Sequence, residues 1–265
     1  MAGRQAAGMS FAIALSDEQW ELVADLFEPP GRRGAPAVIP RRQMVDAMLF
    51  LARTGCQWRY LPEPYGAWTA VWAQWRRWRT NGVCAAAMTR LAAIVRVLHD
   101  REPGPSMVMV DAQTVRGGRY GPTFHEAGGR GGRTIGTKRT LLVEILGLPV
   151  AAGACSARPH DVVAARELLR DRLPDLARLC AIVGDRAYRG LARLAERKHV
   201  ALDIKAPPPG RSGFTPIWPL YKVEHTIAQL GRWRRLSRCY EGTEASARAW
   251  LEVASVGYLA WRALP

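Results

Sequence analysis

Three acidic residues occupy positions from which a protein can hold a metal ion. Asp111 follows the apolar run Met-Val-Met-Val, Asp185 follows Ala-Ile-Val-Gly, and Glu224 lies near the start of a predicted helix. A carboxylate at the end of a buried strand is poorly placed for a surface ion pair and well placed beside a cleft. Carboxylate oxygens suit Mg²⁺, and two such ions about 3.5–4 Å apart can activate a water or a 3′-hydroxyl at a phosphodiester.

Each of these acids also has a plainer structural interpretation. Asp111 could be a turn residue at the strand end, and Asp185 could cap the following helix through its carboxylate. Glu224 could be a first-turn acid that the helix dipole favours. Because the chain contains 23 Asp and Glu residues, a triple with this spacing is weak evidence by itself.

The charge balance points to a partner that carries many phosphates. The 265 residues include 38 Lys and Arg against 23 Asp and Glu, which gives a formal net charge of +15. Nearly all of the basic residues are arginines, whose guanidinium fork matches phosphate oxygens. A coding bias toward Arg could explain the choice of Arg over Lys, but it does not explain the sign of the net charge.

Several classes of protein are excluded by composition. With 48% hydrophobic and 23% charged residues, the chain has an ordinary globular composition. No apolar run reaches the roughly 18 residues of a membrane helix. The five cysteines are widely spaced and form no Cys-X-X-Cys pair, so neither disulfides nor a zinc cluster is expected. We therefore expect a protein of the reducing cytoplasm, associated with the nucleoid, that does not engage a membrane.

Residues 1–100 are predicted to form an all-helical, helix-turn-helix-like domain that binds DNA. Ser16 and Gln19 form a capping box, and a stripe of tryptophans between 68 and 75 marks a helix whose end is crowded by Arg76, Arg77 and Arg79. A helix, a turn and an Arg-rich helix are the elements of a small helix-turn-helix DNA-binding domain. The alternative is a plain helical bundle, and the tryptophans are expected to be core residues in either case.

Residues 101–265 predict a mixed α/β sheet flanked by helices. A strand at 107–110 precedes a hairpin that turns at Gly147, and strands then alternate with helices. The glycine-rich segment 117–136 predicts a mobile loop, and Asp161 is expected to be a helix N-cap. Lys138 and Arg139 either face DNA from the sheet edge or are solvated charges.

Five local sequences occur in a characteristic order. They are VDAQTVR (110–116), GTKR (136–139), VEILGLP (143–149), VGDRAYRG (183–190) and VEHTIAQLGRWRRLSR (223–238). Together they closely resemble the DDE transposases of bacterial insertion sequences, specifically the insertion-sequence-5-like group. The segment from LSDEQW (15–20) through GCQWRYLP (55–62) resembles the N-terminal helical domain of the same group.

The resemblance implies a fold, a site and a partner. It implies an RNase H-like catalytic domain at 101–265 with Asp111, Asp185 and Glu224 as the metal-binding triad, two Mg²⁺ ions, and Mn²⁺ as a possible substitute. Tyr188 matches the segment after the second Asp. The residues expected to contact DNA, from the helical domain and from the resemblance together, are Arg76, Arg77, Arg79, Lys138, Arg139, Arg189, Arg232 and Arg235.

The chain also departs from the common pattern of that group at three positions. It has Glu144 where many members have Asp, His225 directly after the catalytic Glu where many have Arg, and Leu220 where many have Arg.

Three functional hypotheses follow. The first is a transposase that binds the inverted-repeat ends of its element, cuts them and joins them to target DNA, as a homodimer in the synaptic complex. The second is a catalytically decayed transposase that acts as a DNA-binding repressor. The third is a nuclease with the same core and no strand transfer.

Overall fold

A computed structural model describes residues 14–29, 38–117, 126–127, 134–206 and 216–265. The N-terminal apolar patch, the loop at 30–34, most of the glycine-rich segment and the first half of the loop after 206 lie outside the described residues.

The N-terminal region is helical, as the sequence predicts. Its helices are α1 (Asp17–Glu21), α2 (Ala24–Phe27), α3 (Arg41–Thr54), α4 (Trp68–Thr80) and α5 (Val83–Leu98). The capping box is present: the Gln19 backbone N–H donates to Ser16 Oγ at 3.2 Å, and Gln19 Oε1 accepts from the Ser16 N–H at 3.0 Å. α3 ends at Gly55, whose φ of 70° is the left-handed conformation that glycine adopts without strain.

A mixed sheet follows, which confirms the predicted fold class. Its strands are β1 (Met107–Arg116), β2 (Glu126–Ala127), β3 (Thr134–Glu144), β4 (Pro149–Ser156), β5 (Ala181–Gly184) and β6 (Ala201–Ile204). Five of them run in the order β4-β3-β1-β5-β6, and the short β2 pairs with the start of β3. β4, β3 and β1 are antiparallel, whereas β1, β5 and β6 are parallel.

Within the described part of residues 101–265, four helices pack around the sheet. They are α6 (Asp161–Arg172), α7 (Ala192–Arg197), α8 (Tyr221–Gly231) and α9 (Glu244–Ala263). α8 ends at Gly231 instead of continuing to 236 as predicted, and a short 3-10 turn, Arg234–Leu236, follows it. Asp161 is the first helical residue and His160 is the N-cap, and the Asp161 carboxylate pairs with Lys138 Nζ at 2.6 Å. The prediction of Asp161 as the cap was therefore wrong.

The N-terminal helices and α9 share one hydrophobic core. Trp58 and Trp75 lie against Trp250 of α9, with ring centroids 5.7 Å and 5.3 Å apart. The division of the chain near residue 100 remains a prediction, and the two halves bury apolar surface against each other.

Among the described residues, no single helix is long and apolar enough to cross a membrane. Only α4 and α5 taken together reach that length and composition, and they are bent by 69° at the break between them.

A buried ion pair joins α5 to the β3–β4 hairpin. Arg96 donates to Glu144 Oε2, and both side chains are almost fully buried. The other oxygen of Glu144 accepts from the backbone N–H groups of Leu146 at 2.7 Å and Leu148 at 3.2 Å. The Glu144 carboxylate thus binds both the α5 guanidinium and two backbone N–H groups of the β3–β4 turn.

Replacing Arg96 with Ala should lower the free energy of unfolding by about 3–5 kcal/mol, because the Glu144 charge would remain in the core without its partner. Urea unfolding measures the change. The matched control is Arg90→Ala on the same helix, whose pair with Asp25 is exposed and screened by water. Equal losses in the two variants would contradict the structural role of the buried pair.

Glu252 of α9 is a buried acid whose titration affects stability. Burial raises the pKa of Glu252 from its ordinary 4.5 to about 7, against the opposing influence of Arg248 and Arg172. Since the unfolded chain releases this proton first, stability should fall as the pH rises from about 4.5 to about 7, by on the order of 3 kcal/mol. The difference in unfolding free energy between the wild type and Glu252→Gln, measured across that range, isolates this effect. A pH-independent difference would contradict it.

Candidate active site

Asp111 lies within a strand and not at its end. The sequence predicts that the strand stops at Val110, but β1 continues to Arg116, because β3 pairs with it along its whole length from Glu144 to Gly136. Asp111 lies opposite Leu141 in this ladder. The carboxylate therefore belongs to a fixed backbone in the middle of the sheet.

The pairing of β1 with β5 brings the second acid to the same level. In this parallel pair, Met107 lies opposite Ala181 and Met109 lies opposite Val183. The same register, continued by two residues, sets Asp111 beside Asp185. Neighbouring strands are about 4.8 Å apart, and level residues project to the same side of the sheet. Asp185 is still extended, with φ −79° and ψ −174°. The two acids are therefore neighbours although they lie far apart along the chain.

Asp185 also caps the turn that follows β5. Its Oδ1 accepts from the Ala187 backbone N–H at 2.8 Å. Asp185 therefore does act as a cap, which was the structural interpretation of this residue. The side chain is exposed, and the bond to Ala187 fixes the position of one of its carboxylate oxygens.

Glu224 lies in the first turn of α8, which covers the Asp111 side of the sheet. Side chains alternate along a strand, so Asp111 and Gln113 share a face with Leu141 and Arg139 opposite them. A small cavity on this face is lined by Gln113, Arg139 and Leu141 together with side chains of α8. Glu224 itself is exposed.

One hydroxyl fastens α8 to the hairpin. Thr226 Oγ1 donates to the Gly147 carbonyl at 2.9 Å. This bond fixes the helix turn that carries Glu224 relative to the sheet.

The Asp111 carboxyl lies in a strongly negative environment. Burial, together with the negative charges of Asp185, Glu224 and Asp161, raises the pKa of Asp111 to about 6, while a 2.8 Å bond from the Ala112 N–H opposes the rise. Those three charges act on Asp111 only because they are near it. Perturbed acids of this kind concentrate at functional sites.

Tyr188 supports Asp111 from inside the protein. Its hydroxyl donates to Asp111 Oδ1 at 3.4 Å, and its ring is fully buried. A Cβ on Gly184 would lie 2.9 Å from the Tyr188 Cβ, so glycine at that position leaves room for the ring. The sequence after Asp185 could have indicated that Tyr188 lies near the sheet. A residue three positions after an Asp at a strand end returns toward the sheet in one 3-10 turn.

The donor chemistry of the site suits Mg²⁺. Three carboxylates supply hard oxygen ligands, and a divalent cation would relieve the accumulated negative charge around Asp111. Within the ranges that the structure describes, no three Asp, Glu, His or Cys side chains already converge as a ligand set. Asp111 and Asp185 instead direct an oxygen to the backbone N–H groups of Ala112 and Ala187.

Four of the residues expected to contact DNA have exposed side chains. Arg76 and Arg77 lie on the outer face of α4, Arg189 follows Tyr188, and Arg232 is at the end of α8. The Arg76 guanidinium lies 4.8 Å from the centroid of the Trp72 ring, and Arg77 donates to Gln74 Oε1 at 3.2 Å.

Arg79 and Arg235 are used in packing within the protein. Arg79 donates to Ser246 of α9 and lies 5.0 Å over the Trp75 ring. Arg235 is buried, pairs with Glu241 at 2.7 Å and lies 4.2 Å over the Trp250 ring. Their positions are at odds with direct contact to DNA.

Lys138 and Arg139 are buried on opposite faces of β3. Lys138 forms an ion pair with Asp161 and donates a hydrogen bond to the Pro159 carbonyl. Arg139 donates to the Leu236 and Arg238 carbonyls. β3 is a central strand flanked by β1 and β4, and both side chains are buried, so these residues are neither at the sheet edge nor solvated charges, the two alternatives that the sequence left open. Burial lowers the pKa of Arg139 to about 10.

Comparison with family models matches two consecutive parts of the chain. Residues 15–88 match the model described as "Putative transposase of IS4/5 family", and residues 102–205 match "Transposase DDE domain". Asp111 and Asp185 fall inside the second match, and Glu224 lies beyond it.

Two curated proteins are similar to part of the chain. "Uncharacterized protein y4sN" of Sinorhizobium fredii is 36% identical over 122 residues, which cover 45% of this chain and 87% of that protein. "Insertion element IS402 uncharacterized 16.2 kDa protein" of Burkholderia cepacia is 31% identical over 108 residues, which cover 38% of this chain and 72% of that protein.

Proposed function

Because the chain belongs to the DDE transposases of bacterial insertion sequences, we propose that it binds the ends of its own element, cuts the DNA there and joins the freed 3′-hydroxyls to target DNA. The observation that carries the proposal is the parallel register that sets Asp111 level with Asp185, beneath the helix that bears Glu224. In this proposal the chain acts at the nucleoid as a homodimer that holds two element ends.

The proposed roles of the site residues follow from their contacts. Asp111, Asp185 and Glu224 would hold two Mg²⁺ ions, or Mn²⁺ in their place, which when bound supply the charge that activates the attacking hydroxyl and stabilises the leaving oxygen. The Ala112 N–H and the Tyr188 hydroxyl orient the Asp111 carboxylate. The Ala187 N–H does the same for Asp185.

The proposed DNA surface begins on α4. Arg76 and Arg77 are exposed and oriented by Trp72 and Gln74, and a guanidinium held in this way loses less conformational entropy when it meets a phosphate. Arg189 extends the positive surface next to Asp185.

A second candidate is DNA binding without cleavage, as in a decayed transposase that acts as a repressor. The observation that favours it is that the three acids do not stand together as a ligand set within the described residues.

The rate at which Asp111→Asn cuts the DNA should be at least about 100-fold lower than the wild-type rate. Loss of a residue that only supports a metal ligand lowers activity by about 10- to 100-fold, so a larger loss indicates a ligand. The measurement is the cutting of a labelled element end in Mg²⁺ and in Mn²⁺, with binding of the same DNA followed in parallel. The matched control is Asp175→Asn, which alters an exposed Asp paired with Arg172 and should cut normally. Undiminished cutting by Asp111→Asn would refute the assignment, and a wild type that binds element ends but never cuts them would favour the second candidate.

Arg76→Ala and Arg77→Ala should each weaken DNA binding and reduce the slope of log affinity against log salt by about 0.9, as expected for one lost phosphate contact. Arg170→Ala, which removes an exposed Arg from α6, controls for the general loss of charge. Slopes identical to that of the wild type in both α4 variants would place the DNA elsewhere.

A further inference from the structure

A lysine lies level with the two strand acids at the carboxyl end of β6. β5 and β6 are parallel, with Gly184 opposite Ile204. The ladder continues for one more residue, because the Lys205 N–H donates to the Gly184 carbonyl at 2.9 Å. Lys205 therefore stands beside Asp185, as Asp185 stands beside Asp111. It does not belong to the residues that the sequence predicts to contact DNA.

The side chains of this row share one face of the sheet. Residues that lie level on neighbouring strands project to the same side, and neighbouring strands are about 4.8 Å apart. Since the strand order is β1-β5-β6, Lys205 is one strand from Asp185 and two strands, or roughly 10 Å, from Asp111. An ammonium group on a flexible four-carbon stem can reach a phosphate that lies over the two acids from that distance.

The ion pair that Lys205 forms in the free protein leaves it available. Its Nζ lies 2.7 Å from Oδ2 of Asp203, and 35% and 43% of the two side chains are exposed. A pair that is this accessible to water contributes little to stability, because water screens both charges. Lys205 can therefore turn from Asp203 to a phosphate at a small cost, in contrast to the buried Arg96, which is fixed on Glu144.

The acids of the site create a need for such a cation. Asp111, Asp185 and Glu224 concentrate negative charge where the phosphodiester has to lie. Like charges at this separation repel each other, and a positive charge in the same row offsets part of the repulsion. Lys205 supplies this charge on the far side of Asp185, next to the phosphate oxygens that gain charge while the bond is cut.

We propose that Lys205 binds the phosphate at which the element end is cut and holds it over Asp111 and Asp185. The inference rests on the proposed function, because it adds a residue to the same reaction. An ammonium group binds phosphate as a point charge and lacks the fixed planar geometry of the guanidinium fork, so it can follow the phosphate oxygens as the bonds change. Asp203 holds Lys205 in the DNA-free protein.

Salt-dependent binding of a labelled element end tests this contact, with the full-length chain in EDTA so that no DNA is cut. Lys205→Ala should reduce the slope of log affinity against log salt by about 0.9. DNA that carries an uncharged methylphosphonate in place of the phosphate to be cut should give wild type and Lys205→Ala the same slope, because the charge that Lys205 meets is gone. A methylphosphonate several nucleotides inside the element should leave the difference between the two proteins in place.

Two further variants separate this contact from a general effect of charge. Lys198→Ala removes an exposed lysine that precedes the opposite end of β6, and it should keep the wild-type slope. Lys205→Arg keeps the positive charge and should restore the slope that Lys205→Ala loses. In Mg²⁺ and at saturating DNA, Lys205→Ala should cut about 100-fold more slowly than the wild type, as expected when one group that stabilises a transition state is removed.

An unchanged slope in Lys205→Ala overturns the inference. A difference in slope that persists on the DNA with the methylphosphonate at the cutting position also overturns it, since Lys205 would then hold another phosphate. If Lys205→Ala fails to fold, Lys205→Met keeps an unbranched stem and removes only the charge. The proposed function fails separately: a wild type that binds element ends but does not cut them in Mg²⁺ leaves the binding slopes fully readable.

Discussion

The parallel pairing of β1 with β5 is the constraint on which the rest of this structure depends. A strand pair has one register at a time, and a shift by one residue would turn Asp185 to the opposite face of the sheet from Asp111. The paired residues Val108, Met109, Ile182 and Val183 are all fully buried, so both faces of this strand pair lie in the core. An apolar core thus determines how two acids meet, although neither acid contributes to the burial that brings them together.

Among the described residues, four basic side chains are buried and have partners within the protein. Arg96 holds Glu144, Lys138 holds Asp161, and Arg139 and Arg235 bind backbone carbonyls and aromatic rings. A buried guanidinium needs such partners, since an unpaired charge in the core costs several kcal/mol. Part of the net charge of +15 thus lies inside the protein, whereas arginines on α4, after Asp185 and at the end of α8 are exposed.

The same internal bonds tie the helical region to the sheet. Arg96 reaches from α5 to the β3–β4 turn, Arg79 from α4 to α9, and Trp58 and Trp75 enclose Trp250. Thr226 then connects α8 to that turn. These contacts together connect the N-terminal helices to the helix that carries Glu224.

The sequence by itself determined the elements with strong local signals. The capping box at Ser16, the glycine that ends α3 and the hairpin at Gly147 were all identified from spacing and residue type, because each depends on neighbours a few positions away. The tertiary structure alone decided that β1 continues past Asp111, that Lys138 and Arg139 are buried, and that Tyr188 supports Asp111. A local pattern fixes which face of its own element a side chain occupies. Whether that face meets water or another element depends on residues far away along the chain.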